Sequence, residues 1–71
     1  MGQTRAKFKC TEVSLTEHGN TVTFNPVVSG SKENESFFKW TPYGEIKMGI
    51  VNPDIHFEPG HEYYVDFTLA K

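Results

Sequence analysis

Cysteine is almost missing from this sequence. Cys10 stands alone, which excludes an internal disulfide and fits a reducing cytosol. Long hydrophobic runs are missing too. No stretch approaches the roughly 18 apolar residues of a membrane span. The opening residues, Met1 to Arg5, lack the apolar centre of a secretory signal. Ala6 stands where N-myristoylation wants Ser or Thr. A basic excess is also lacking. Seven Lys and Arg against nine Asp and Glu give a net charge of -2, which argues against a domain that holds nucleic acid by overall charge. Finally, no segment sustains the spacing of an amphipathic helix.

What the sequence does have is aromatic residues, at 14% of its 71 positions. One domain over residues 1–71 is the only sensible count, with residues 1–4 expected outside the ordered fold. A chain this short buries only about 60% of its unfolded surface, so large aromatic side chains must supply much of the core. Short alternating runs separated by turn residues predict strands.

The first strand runs from about Thr4 to Thr16. Ala6, Phe8 and Cys10 share one side, and Arg5, Lys7 and Lys9 the other. Val13 and Leu15 are apolar on the opposite parity, which predicts a bulge near Cys10 to Glu12. Glu17 to Asn20 reads as a hairpin turn. The second strand, Thr21 to Val28, turns Val22 and Phe24 inward, and Pro26 marks its edge or end. Ser29 to Ser36 reads as a long polar loop.

Four aromatics then fall within seven residues, from Phe37 to Tyr43. A third strand over Phe37 to Thr41 places Phe38 and Trp40 in the core, with Phe37 and Lys39 outward. The Thr41-Pro42-Tyr43-Gly44 turn leads to a fourth strand, Glu45 to Val51, with Ile46, Met48 and Ile50 inward and Lys47 outward. Ile55 and Phe57 are expected to plug one end. A Pro59-Gly60 turn precedes the last strand, Glu62 to Leu69. There Tyr63, Val65, Phe67 and Leu69 face inward and Tyr64 outward. The prediction is an all-β, antiparallel, five-stranded, partly open barrel, OB-like or SH3-like, with a two-sheet sandwich as the alternative.

Three segments resemble a family of small proteins encoded by tailed phages and prophages, a family with no assigned activity. They are Arg5 to Cys10, Glu33 to Pro42, and Phe57 to Phe67, in that order, and the resemblance covers most of the chain. The resemblance implies a viral accessory protein acting in the bacterial host cytoplasm. It implies no site residues.

Chemistry finds little footing in the residues. His56 and His61 near Asp54 and Glu58 offer ligand types, but their spacing matches no zinc motif, so no metal and no cofactor are expected. Cys10 reads as a small buried hydrophobe rather than a nucleophile. Gly30 and Gly44 are lone turn glycines, not a phosphate cradle. The chain is therefore read as a binding module and not an enzyme. Its candidate contact residues are Phe37, Lys39, Tyr43, Lys47 and Tyr64, together with the basic stripe Arg5, Lys7 and Lys9. A protein partner is the first expectation, because aromatics with a polar end are enriched at interfaces. A single-stranded nucleic acid is the second, because outward cations beside an aromatic can track phosphates and stack bases. A small virion or assembly component is the third. No membrane partner is expected, and the oligomeric state is open. The plain alternative for the lysines is that they are solvated and discourage edge pairing.

Overall fold

The computed structural model describes residues 4–70. Its elements are β1 (Arg5–Thr16), β2 (Gly19–Pro26), α1 (Lys32–Phe38), β3 (Ile46–Ile50) and β4 (Glu62–Asp66). The four strands form one antiparallel sheet in the order β3-β2-β1-β4. The all-antiparallel reading holds. The count of five strands does not: among the described residues there are four, and β3 and β4 end the sheet as unpaired edges rather than closing a barrel.

The bulge lies where the parity flip in β1 puts it. Register shifts between Cys10, opposite Phe24, and Glu12, opposite Thr23. One extra residue lets Ala6, Phe8 and Cys10 share a face with Val13 and Leu15 despite their opposite parity. The bulged Thr11 hydroxyl lies 2.7 Å from Asn25 Oδ1 and 3.3 Å from the Thr23 carbonyl. Cys10 is fully buried there, its thiol donating weakly to the Glu12 carbonyl at 3.9 Å. At the β1–β2 turn, Gly19 takes φ 124°, and a Cβ on it would sit 2.5 Å from the Ile50 carbonyl oxygen. Only glycine fits both the backbone and the approach of β3.

The core is Ala6, Phe8, Cys10, Val22 and Phe24. The crossover from β3 to β4 spans the sheet between its two edges. It brings Phe57 edge-on to Phe24, with ring centroids 5.0 Å apart, and Tyr63 completes the triad at 5.7 Å from Phe24 and 5.2 Å from Phe57. Phe57 thus plugs the core as expected, while Ile55 stays 41% exposed. Ile46 and Met48 on one edge and Tyr63 and Val65 on the other line a single concavity of about 390 Å³. The sheet is therefore curled into a trough. β4 stops at Asp66, so Phe67 and Leu69 lie beyond it, half and almost fully exposed. Thr4, expected outside the fold, is tied to Phe67 by two hydrogen bonds, at 2.7 and 3.1 Å; residues 1–3 lie outside the described residues.

The main departure is at Ser29 to Thr41. In place of a loop and a third strand stands the helix α1. Ser31 caps it, its hydroxyl accepting from the Asn34 N–H at 3.2 Å, and Glu33 and Glu35 occupy the favourable acidic first turn. Asn34, Phe37 and Phe38 then fall at i, i+3 and i+4, one helix face. Asn34 is 1% exposed and Phe38 packs on the core, 6.5 Å from Phe8. Lys39 ends the helix at φ 71°, with its N–H on the Glu35 carbonyl. That left-handed residue turns the chain outward, so Trp40, expected in the core, is 79% exposed.

What docks α1 is a side chain imitating a strand. β2 ends at Pro26; the next residue still donates its Val27 N–H to the Lys7 carbonyl at 3.0 Å, but the Lys7 N–H is left without a strand acceptor on that side. The Asn34 amide takes over: its Oδ1 accepts from the Lys7 N–H at 2.6 Å and its Nδ2 donates to the Lys7 carbonyl at 2.7 Å. A further bond from Nδ2 to the Val27 carbonyl, at 2.8 Å, fixes the chain leaving β2.

Candidate functional site

The eight residues singled out in the sequence divide into separate groups. Arg5, Lys7, Lys9, Lys47 and Tyr64 all lie on the sheet face opposite the trough, as their parity requires. Arg5 and Lys7 sit over the Tyr64 ring, 4.9 and 5.5 Å from its centroid. Phe37 is elsewhere, on α1. Its ring packs 5.0 Å from Phe38 and stacks on Phe67 at 5.9 Å, which leaves it 37% exposed. Lys39 closes the helix, and Tyr43 lies in the loop before β3, 91% exposed. No Phe37–Ile50 hairpin forms, so these residues do not make the single aromatic face that the hairpin required.

The basic stripe is largely answered by acids. Arg5 Nε meets Asp66 Oδ1 at 2.7 Å, and Lys7 lies 3.8 Å from Glu33 and 3.9 Å from Glu62. The hydrogen bond to Asp66 holds the Arg5 guanidinium more firmly protonated than usual. Glu33 is held below the usual carboxylate range, first by its own backbone N–H and then by the Ser31 hydroxyl, with Lys7 adding attraction. A carboxylate with a lowered folded pKa contributes stability above its ordinary value of 4.5 and loses that contribution as pH falls through the folded value. Wild type should therefore lose more melting temperature on acidification than Glu33→Gln does. Parallel melting-temperature curves from pH 7 to pH 3 would refute a role for the Glu33 charge.

An exposed aromatic lies outside the set that the sequence singles out, Trp40. Trp40 was assigned inward, yet it stands on the surface with Val28, 67% exposed, and Pro42 around a shallow hollow of about 220 Å³. The floor includes Ser31 and Asn34, both buried and hydrogen-bonded. The overlooked signal was Ser31 followed by Glu33, Asn34 and Glu35, a helix-start pattern. It excludes an alternating strand immediately afterwards.

His56 and His61 are both exposed, and no group of three or more His, Cys, Asp or Glu gathers to hold a metal among the described residues. No helix among them is long and apolar enough to cross a membrane. Compared with known proteins, the chain finds no significant match to a family model, a curated protein or a solved structure.

Proposed function

We propose that this chain is a non-enzymatic binding module that engages a protein through the Trp40–Tyr43 loop. The phage or prophage setting is the one its sequence resemblance implies. The observation that carries the reading is the exposure of Trp40, 79%, with Tyr43 at 91% and Val28 at 67% close by in the fold or the chain. Tryptophan and tyrosine dominate the energetics of protein interfaces when a partner covers them. The loop springs from the Asn34-anchored helix, so the hollow has a fixed floor against which a partner's apolar side chain can seat.

The same geometry gives less support to single-stranded nucleic acid. Arg5 and Lys7, which that reading needs for phosphates, already face Asp66, Glu33 and Glu62. Phe37, which it needs for base stacking, is packed on Phe67.

The test is capture of a partner from bacterial lysate by tagged wild type and by Trp40→Ala/Tyr43→Ala, with thermal melts in parallel. The double variant should keep its melting temperature and lose capture by at least about tenfold, since a covered tryptophan carries roughly 2 kcal/mol or more. Undiminished capture would sink the assignment.

A further inference from the structure

We infer that β3 is a self-pairing edge, through which two copies of this chain join their sheets antiparallel about a two-fold axis at Met48. The inference does not depend on the Trp40 loop, which lies outside β3.

The direction of the backbone groups comes first. The Cys10 N–H donates to His61 and the Cys10 carbonyl accepts from Gly60, so Cys10 points its backbone away from β2 and toward the segment leading into β4. Phe24, opposite Cys10 on β2, therefore turns its own backbone toward β3. Alternation then aims Ile46, Met48 and Ile50 at β2, opposite Phe24, Val22 and Asn20. The backbone groups of Lys47 and Gly49 are left pointing out at the free edge.

A two-fold axis at Met48 matches those outward groups to themselves. Lys47 faces the second copy's Gly49, and Gly49 faces the second copy's Lys47. Each is a pair that exchanges two hydrogen bonds. The same register lays Met48 against its counterpart and Ile46 against the second copy's Ile50, all on the trough side. Apolar cross-strand pairs of this kind stabilise a sheet. On the other side the one charge of the strand meets a glycine. No like charge opposes Lys47, and a Cβ built at Gly49 meets nothing within 4 Å, so there is room for the lysine stem.

The other edge is self-repelling. Centred on Tyr64, β4 would set Glu62 against the second copy's Asp66, twice by symmetry, and like charges directly opposite destabilise a pair. Edge strands are commonly guarded by such charges. β4 has that guard; in β3 a single lysine fails as one, because its partner position is glycine.

Surface area points the same way. A monomer of 8.1 kDa is expected to expose about 4,500 Å², whereas this chain exposes 5739 Å². The surplus, roughly 1,200 Å², is shared by Met48 on the β3 edge with Trp40, Tyr43, Phe67 and Leu69, so it leaves room for a partner while the strand register is what places it on β3.

The experiment is sedimentation equilibrium of the full chain, with two substitutions at one position and a cross-link. Wild type should be dimeric at tens of micromolar. Gly49→Lys sets two lysine pairs face to face and should weaken the dimer at least about tenfold. Gly49→Glu sets Glu against Lys47 and should retain or strengthen it. Circular dichroism establishes that both variants fold. Met48→Cys should form an intermolecular disulfide under mild oxidation, because facing non-hydrogen-bonded residues lie roughly 4.5 Å apart at Cα. Ile50→Cys should not, since its counterpart is displaced by roughly 13 Å along the strand. A wild-type monomer at several hundred micromolar would overturn the inference. So would a dimer indifferent to Gly49→Lys, or an Ile50→Cys cross-link as strong as that of Met48→Cys; either would place the contact elsewhere.

Discussion

Asn34→Ala is expected to destabilise the fold by about 3 kcal/mol or more, half or so of what a domain of this size possesses. The reason is what the substitution leaves behind. The Lys7 N–H and the Val27 carbonyl both lose their partner on a side chain that is 1% exposed. A buried group left unsatisfied costs roughly 1–3 kcal/mol. The Lys7 carbonyl keeps its bond from the Val27 N–H and adds less. Asn34→Asp separates hydrogen bonding from packing. An ionised carboxylate can still accept from Lys7, but it cannot donate, and it would face two carbonyl oxygens. Its deficit should match or exceed that of alanine at neutral pH and shrink on acidification, when a protonated carboxyl can donate again. Urea unfolding gives the free energies, with the exposed Ser36→Ala on the same helix as a control within about 0.5 kcal/mol. Equal midpoints for Asn34→Ala and the control would mean that α1 does not need its amide anchor.

Phe24→Ala should leave the protein largely unfolded at 25 °C, while Trp40→Ala should melt like wild type. Phe24 is 4% exposed and meets both Phe57 and Tyr63 edge-on. Truncating such a ring typically costs about 3–5 kcal/mol, through lost transfer energy and the cavity left behind. Trp40 is the larger residue, but at 79% exposure it has little burial to lose, and a change within about 0.5 kcal/mol is expected. Melts followed by circular dichroism decide the contrast. A collapse of Trp40→Ala would place that indole in the core.

Legibility in the sequence followed the kind of signal each element carries. β1 and its bulge were readable because two apolar parities meet at Cys10 to Glu12, and only an extra residue reconciles them. The inward set of β3 and the first half of that of β4, Tyr63 and Val65, are readable for the same reason, since period two assigns a face without knowledge of the partner strand; Phe67 and Leu69 lie past the end of β4, where that period no longer applies. The region from Ser31 to Trp40 was not. Phe37, Phe38 and Trp40 have strand propensity, and the helix they join is held by a polar side chain, which hydrophobic patterning does not count. The cap at Ser31 and the acids behind it outweighed that propensity, and Lys39 then turned Trp40 to solvent. The candidate site suffered accordingly. Residues on true strands, Arg5, Lys7, Lys9, Lys47 and Tyr64, were assigned to the correct face. Those whose grouping depended on the missing hairpin, Phe37, Lys39 and Tyr43, were scattered. The acids beside Arg5 and Lys7 come from β4 and α1, so their neutralising effect depends on strand order, which no single sequence displays.

The solitary thiol at the bulge gives the molecule a clock of its own. Cys10 is fully enclosed, and its backbone bonds join β1 to the turn before β4. A thiol reagent can reach it only when the core around it opens. At low reagent concentration the labelling rate would report how often it does so as an equilibrium population; at saturating reagent it would report the opening rate itself. Wild-type protein therefore carries a native gauge of motion at its most irregular point.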